Sequence, residues 1–119
     1  MIASNRARAA KHPSKKLSAT ILREIVGRVV AAARPEKIVL FGSAARGTMG
    51  LDSDVDLLVI KGGKFNRARV ENAIYRGLRG VGAAVDAIVV TTEEVERYGT
   101  ASCLVIHPAL REGKVVYGA

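Results

Sequence analysis

Two stretches decide the reading of this chain: Ile38-Val39-Leu40-Phe41-Gly42-Ser43 and, after ten intervening residues, Asp54-Val55-Asp56-Leu57-Leu58-Val59-Ile60. In each, a short apolar run of strand length abuts a polar group, at its end in the first case and at its start in the second. Side chains alternate along a strand, so residues 54 and 56 point to one side and Val55 to the other. Two carboxylates held side by side repel, and a counter-cation relieves the repulsion. Hard divalent ions with oxygen ligands, magnesium above all, fit that need. The Gly42-Ser43 turn offers backbone N–H groups and a hydroxyl to an anion. A phosphate at one end and a metal at the other describe a nucleotide-magnesium site.

Neither half is specific alone. A Gly-Ser dipeptide after a strand is most often only a turn, and an Asp-x-Asp is most often a solvated strand end or a helix cap. Asp86 strengthens the pair, because it interrupts Val81–Val90, a run otherwise of alanine, valine, isoleucine and one glycine. Ionised and unpaired inside an apolar strand, a carboxylate costs several kcal/mol. Asp86 therefore either has a partner or lies at a sheet edge in water. Arg46, three residues after Ser43, is placed either to reach a phosphate or to sit solvated in the loop.

These residues resemble the signature of the DNA polymerase beta-like nucleotidyltransferase superfamily. Phe41-Gly42-Ser43-Ala44-Ala45-Arg46-Gly47 followed by Ser53-Asp54-Val55-Asp56-Leu57 is similar to its smallest members, the minimal nucleotidyltransferases, and Ala109–Tyr117 resembles the way those proteins end. The resemblance covers roughly residues 17 to 118. It implies an α/β (α+β) fold with a small mixed sheet and helices packed on one face. It also implies metal ligation and catalysis by Asp54, Asp56 and Asp86, and nucleotide contacts from Gly42, Ser43, Arg46 and Ser53. The reaction implied is transfer of AMP from ATP to a hydroxyl, with two magnesium ions, or manganese in their place. Many such proteins act as antitoxins on a small helical HEPN partner, adding AMP to a tyrosine, which makes a hetero-oligomer the expected assembly. A non-catalytic subunit that neutralises or scaffolds the partner by contact is the alternative, and an enzyme acting on a small hydroxylated substrate is a third reading.

Length and composition fit one domain, residues 17–119, behind a basic tail. At 119 residues and 49% hydrophobic, the chain buries roughly two thirds of its unfolded surface on folding. The net charge of +8 is concentrated: residues 1–37 carry nine Lys/Arg against two Asp/Glu, leaving +1 for the remainder. Residues 1–16 contain Arg6, Arg8, Lys11, Lys15 and Lys16 and no acid, a composition expected of a disordered tail. We read it as a solubilising extension in preference to a nucleic-acid contact or a transit peptide. Cys103 is the only cysteine, so no intrachain disulfide framework exists, and a reducing, cytoplasmic setting is expected. No apolar run reaches the roughly 20 residues of a membrane span. His12 and His107 lack companions at zinc-ligand spacing, and aromatics at 4% provide no platform for stacking RNA bases.

The periodicity predicts the order of elements. Leu17, Ile21, Ile25 and Val29, flanked by Leu22, Val26 and Val30, form a helical stripe ended by Arg34-Pro35. A strand follows at about 37–41, a glycine-bounded loop, and a strand at 54–60. A second helix carries Val70, Ile74 and Leu78, and a third strand spans 83–90. Thr92 is read as the N-cap of an acidic-fronted helix. Residues 101–111 are read as helical with a break at Pro108, and 114–117 as a last strand. Tyr75, Tyr98 and Tyr117 are assigned to core edges.

Overall fold

The computed structural model describes residues 18–42, 55–98 and 111–118. The first helix, α1 (Ala19–Ala33), starts where Ser18 accepts hydrogen bonds from the Thr20 and Ile21 N–H groups at 3.1 and 3.3 Å. It ends at Arg34, whose left-handed backbone (φ 48°) closes the last turn onto the Val30 carbonyl, and Pro35 cannot continue it. Ile25, Val29 and Ala33 form its buried stripe, about 2 kcal/mol for each large side chain removed from water. The strand β1 (Lys37–Phe41) follows, then β2 (Val55–Lys61), helix α2 (Arg67–Gly77), strand β3 (Val85–Thr91), helix α3 (Thr92–Tyr98) and strand β4 (Lys114–Tyr117).

The four strands form one mixed sheet in the order β3-β2-β1-β4. β1 is antiparallel to β2 and to β4, whereas β2 and β3 are parallel. A parallel pair needs a crossover, and α2 supplies it. Alternation along the strands divides the side chains between two apolar layers. Ile38, Leu40, Val55, Leu57, Val59, Ala87 and Val89 pack with Ile25 and Val29 of α1 and with Ile74 and Leu78. On the other face Val39, Leu58, Ile60 and Val90 form a smaller cluster with Phe41, Ile88 and Val95. The fold is thus the mixed α/β arrangement expected, with α1 and α2 on one face; α3 adds Val95 to the opposite one.

Polar clips gather at the end of the sheet where β2 and β3 finish. Lys61 donates to the Ala33 carbonyl at 2.8 Å, and Thr92 donates to Glu36 at 3.0 Å. Arg67 reaches both Glu94 carboxylate oxygens at 2.9 and 3.0 Å. The N-cap of α3 is Thr91 rather than Thr92. Its Oγ1 accepts from the Glu94 N–H at 2.9 Å while Glu94 accepts from the Thr91 N–H at 2.8 Å, a reciprocal capping box. Burial works to raise the Glu94 pKa, but the bonds from Thr91 and the Arg67 guanidinium outweigh it and hold the carboxyl below its ordinary value of 4.5. The expected helix at 101–111 lies outside the described residues except for its last position.

Candidate active site

The opposite end of the sheet, where β1 finishes and β2 and β3 begin, carries the acids. Asp56 is the register partner of Phe41 on β1 and of Asp86 on β3. Register partners on parallel strands share a face and lie about 5 Å apart across the ladder, so the two carboxylates are neighbours. They sit on the face away from α1 and α2, one position beyond Leu58 and Ile88 in the alternation. The pairing extends to the very start of the strands, where the Val55 N–H donates to the Ala84 carbonyl at 2.8 Å.

Gly42 closes the third side. Its φ is +75°, a conformation that side chains with a Cβ disfavour, and a Cβ there would collide with Asp56 Oδ2. The glycine is required for two reasons: the turn's backbone hand, and the space the carboxylate occupies. Gly42, Asp56 and Asp86 are therefore brought together by three adjacent strands. Asp54, Ser43, Arg46 and Ser53, the other residues singled out in the sequence, lie outside the described residues. Among the described residues no group of three or more potential metal ligands is present.

One expectation changes. Asp86 is exposed, because β3 is an edge strand among the described residues, so the penalty for burying it in an apolar run is not incurred. The sheet-edge alternative was the right one for its environment, yet its strand register still sets it beside Asp56. Its hydrogen-bond partner was not foreseen. Tyr75, on α2, lies around the open edge of β3 with its hydroxyl 3.4 Å from Asp86 Oδ1. The same hydroxyl accepts from the Ala87 N–H at 3.1 Å and stands 3.3 Å from the Ala87 carbonyl. Nothing in the sequence marks Tyr75 as near Asp86, since the contact depends on which strand forms the edge.

The donor set fits a hard divalent cation: carboxylate oxygens on adjacent strands, one exposed, beside a glycine turn that approaches closely. A mixed sheet with acids at its β1–β2–β3 end and a glycine turn pressed against them defines the nucleotidyltransferase class of fold. The nucleotidyltransferase domain family matches residues 20–106, and the chain belongs to that family. A Sulfolobus solfataricus protein assigned as a nucleotidyltransferase is 32% identical, with 66% of this chain and 70% of that one covered and a TM-score of 0.51. Two further structures are similar in fold. One is a mutant of the toxin–antitoxin MntA–HpeT (18% identity, 79% and 71% covered, TM-score 0.57), the other a toxin–antitoxin with AMP-PNP (20%, 80% and 72%, 0.59). No curated protein matches the chain.

Proposed function

We propose that this protein transfers AMP from ATP to a hydroxyl, a tyrosine of a HEPN-type helical toxin being the acceptor, and so acts as an antitoxin. The observation that carries the reading is the register pair Asp56–Asp86 with Gly42 against Asp56. Such a constellation suits nucleotidyl transfer better than a passive interface, because neighbouring acids repel and an interface gains nothing from them. The toxin–antitoxin structures of similar fold, one of them with an ATP analogue, support a toxin as partner and an adenine nucleotide as ligand.

In this reading Asp54, Asp56 and Asp86 hold magnesium, with manganese able to replace it. The bound cation supplies a lowered pKa at the acceptor hydroxyl and neutralises charge on the leaving pyrophosphate. The amides around Gly42, with Ser43, hold the terminal phosphates, and Arg46 and Ser53 border them. Asp86, exposed on the edge strand, is the carboxylate an incoming acceptor meets first. The acceptor oxygen bonds to the α-phosphorus, the bond from that phosphorus to the bridging oxygen breaks, and pyrophosphate departs; Asp86 accepts the hydroxyl proton. A cytoplasmic setting and a hetero-oligomer with the toxin belong to the same reading.

The test is to mix the protein with the HEPN partner, ATP and magnesium and to weigh the partner intact. One adenylyl adduct on a tyrosine, absent with Asp86→Ala although the partner still binds, is the expected result. Equal neutralisation by wild type and Asp86→Ala with no adduct would make the protein a binding subunit instead.

A further inference from the structure

We infer that Tyr75 is a positioning residue for the candidate site: its hydroxyl engages Asp86 Oδ1 and fixes that carboxylate, leaving Oδ2 to face a divalent cation. The inference rests on the proposed nucleotidyltransferase reading of Asp86 and adds to it a residue on a different element. Three observations support it.

The first is the inventory of bonds at one oxygen. The Tyr75 oxygen accepts from the Ala87 N–H at 3.1 Å, which leaves its single proton to donate. Two acceptors are within reach, the Ala87 carbonyl at 3.3 Å and Asp86 Oδ1 at 3.4 Å. Both distances are long for a hydroxyl bond, so the proton is shared between the two acceptors. A charged acceptor binds a donor about twice as strongly as a neutral one. Any small turn of the Asp86 side chain towards Tyr75 therefore captures the proton.

The second is location. β3 is the edge of the sheet, and the N–H and C=O of Ala87 are the edge groups that meet Tyr75. An exposed aspartate on such an edge has no packing to hold its rotamer, whereas a site that ligates metal needs its carboxylates held. Tyr75 is 43% exposed, too open to serve mainly as core, and its hydroxyl is spent on the strand that carries Asp86.

The third is the support beneath Tyr75. Its neighbour Ile74 is fully buried in the main core. The C-terminal end of α2 is pinned to α1 by Arg28, which donates to the Gly77 and Arg79 carbonyls at 3.2 and 2.7 Å. The tyrosine thus stands on a fixed helix and reaches a less constrained carboxylate.

The experiment uses the full chain, Mn2+ as probe and AMP-PNP as the nucleotide, with Mn2+ affinity read by electron paramagnetic resonance. Wild type, Tyr75→Phe, Asp86→Ala and the double variant are titrated, and thermal unfolding is followed for each. Tyr75→Phe is expected to weaken Mn2+ binding about five-fold, the net size of one ordinary hydrogen bond, as the long 3.4 Å contact suggests. In the Asp86→Ala background the same substitution should change the affinity less than about two-fold, because the oxygen through which it acts is gone. An equal loss in both backgrounds means that Tyr75 only braces the fold, and no loss in either means that it is idle; both overturn the inference. Should Tyr75→Phe not fold, O-methyltyrosine at position 75 keeps an acceptor for the Ala87 N–H and replaces the donated proton with a methyl group, and the same comparison applies. If Asp86→Ala alone leaves Mn2+ binding unchanged, the carboxylate site itself is wrong, an outcome distinct from failure of the Tyr75 link, and the inference falls with it.

Discussion

Gly42 and Asp56 are packed so closely that Oδ2 of the aspartate occupies the space where a Cβ of residue 42 would lie. Substitution to alanine therefore does two things. The left-handed φ of +75° costs a non-glycine residue about 1–2 kcal/mol, and the methyl group displaces the carboxylate that faces Asp86. Gly42→Ala is expected to remain folded with a modest fall in thermal midpoint, yet to lose at least about ten-fold in affinity for the metal-nucleotide complex, a factor that corresponds to about 1.4 kcal/mol. Calorimetry with AMP-PNP and Mn2+ beside a thermal melt checks it, and wild-type affinity in a folded Gly42→Ala protein would detach the turn from the site.

Removing a ligand and its charge together is the more direct perturbation. Asp56→Asn keeps the size of the side chain and its place opposite Asp86, and Asp54→Asn removes the charge of the other acid that the sequence singles out. Both are expected to weaken Mg2+-dependent ATP binding or to abolish transfer, with fold stability little changed. Titration of ATP with and without Mg2+ is the measurement. Binding that needs no metal and is untouched by either substitution would leave the acids without the chemistry assigned to them.

Much of this geometry was legible because it follows from local patterns. The stripe through Ile25 and Val29, the strand that ends in Phe41-Gly42, and the parity that puts Asp56 on the face opposite Leu57 are all set by periods of 3.6 and 2. The long-range facts were not legible in that way. That β3 is an edge strand depends on pairing between segments far apart in sequence, and it made Asp86 exposed where its apolar neighbours suggested burial. Tyr75 was missed for the same reason, since a helix residue touches Asp86 only around that edge. The Thr91 cap differs in kind: the spacing Thr91-x-x-Glu94 carries the capping-box pattern, whereas Thr92 has Val95 at that spacing.

Arg28 tests how α2 is held. Its guanidinium donates to the carbonyls of Gly77 and Arg79 and pairs with Glu24 at 2.8 Å. The Glu24 pair is a surface bridge one helical turn apart and contributes little; the bonds to the end of α2 connect two helices. Arg28→Ala is expected to destabilise the protein by about 1–2 kcal/mol, while Glu24→Ala costs less than about 0.5 kcal/mol. Denaturant unfolding of the two variants decides it. Equal losses would place the stabilisation in the surface pair and not in the helix junction.

Glu94 gives a pH dependence whose sign can be worked out. Burial raises its pKa, but the Thr91 N–H and the Arg67 guanidinium more than compensate, so the folded carboxyl titrates below 4.5. A group whose pKa is lowered by folding adds stability above its unfolded pKa, and that stability is lost as pH falls through the folded value. The stability difference between wild type and Glu94→Gln should therefore be flat from neutral pH down to about pH 5.5, then shrink steadily below about pH 4.5 as both states take up the proton. The site lies at the other end of the sheet from this clip, so Mn2+ affinity at neutral pH should be the same in the variant within about two-fold. A difference that stays constant to about pH 3 would mean that the ionised carboxylate contributes nothing at the junction of α2 and α3, and that the neutral hydrogen bonds of the cap carry it alone.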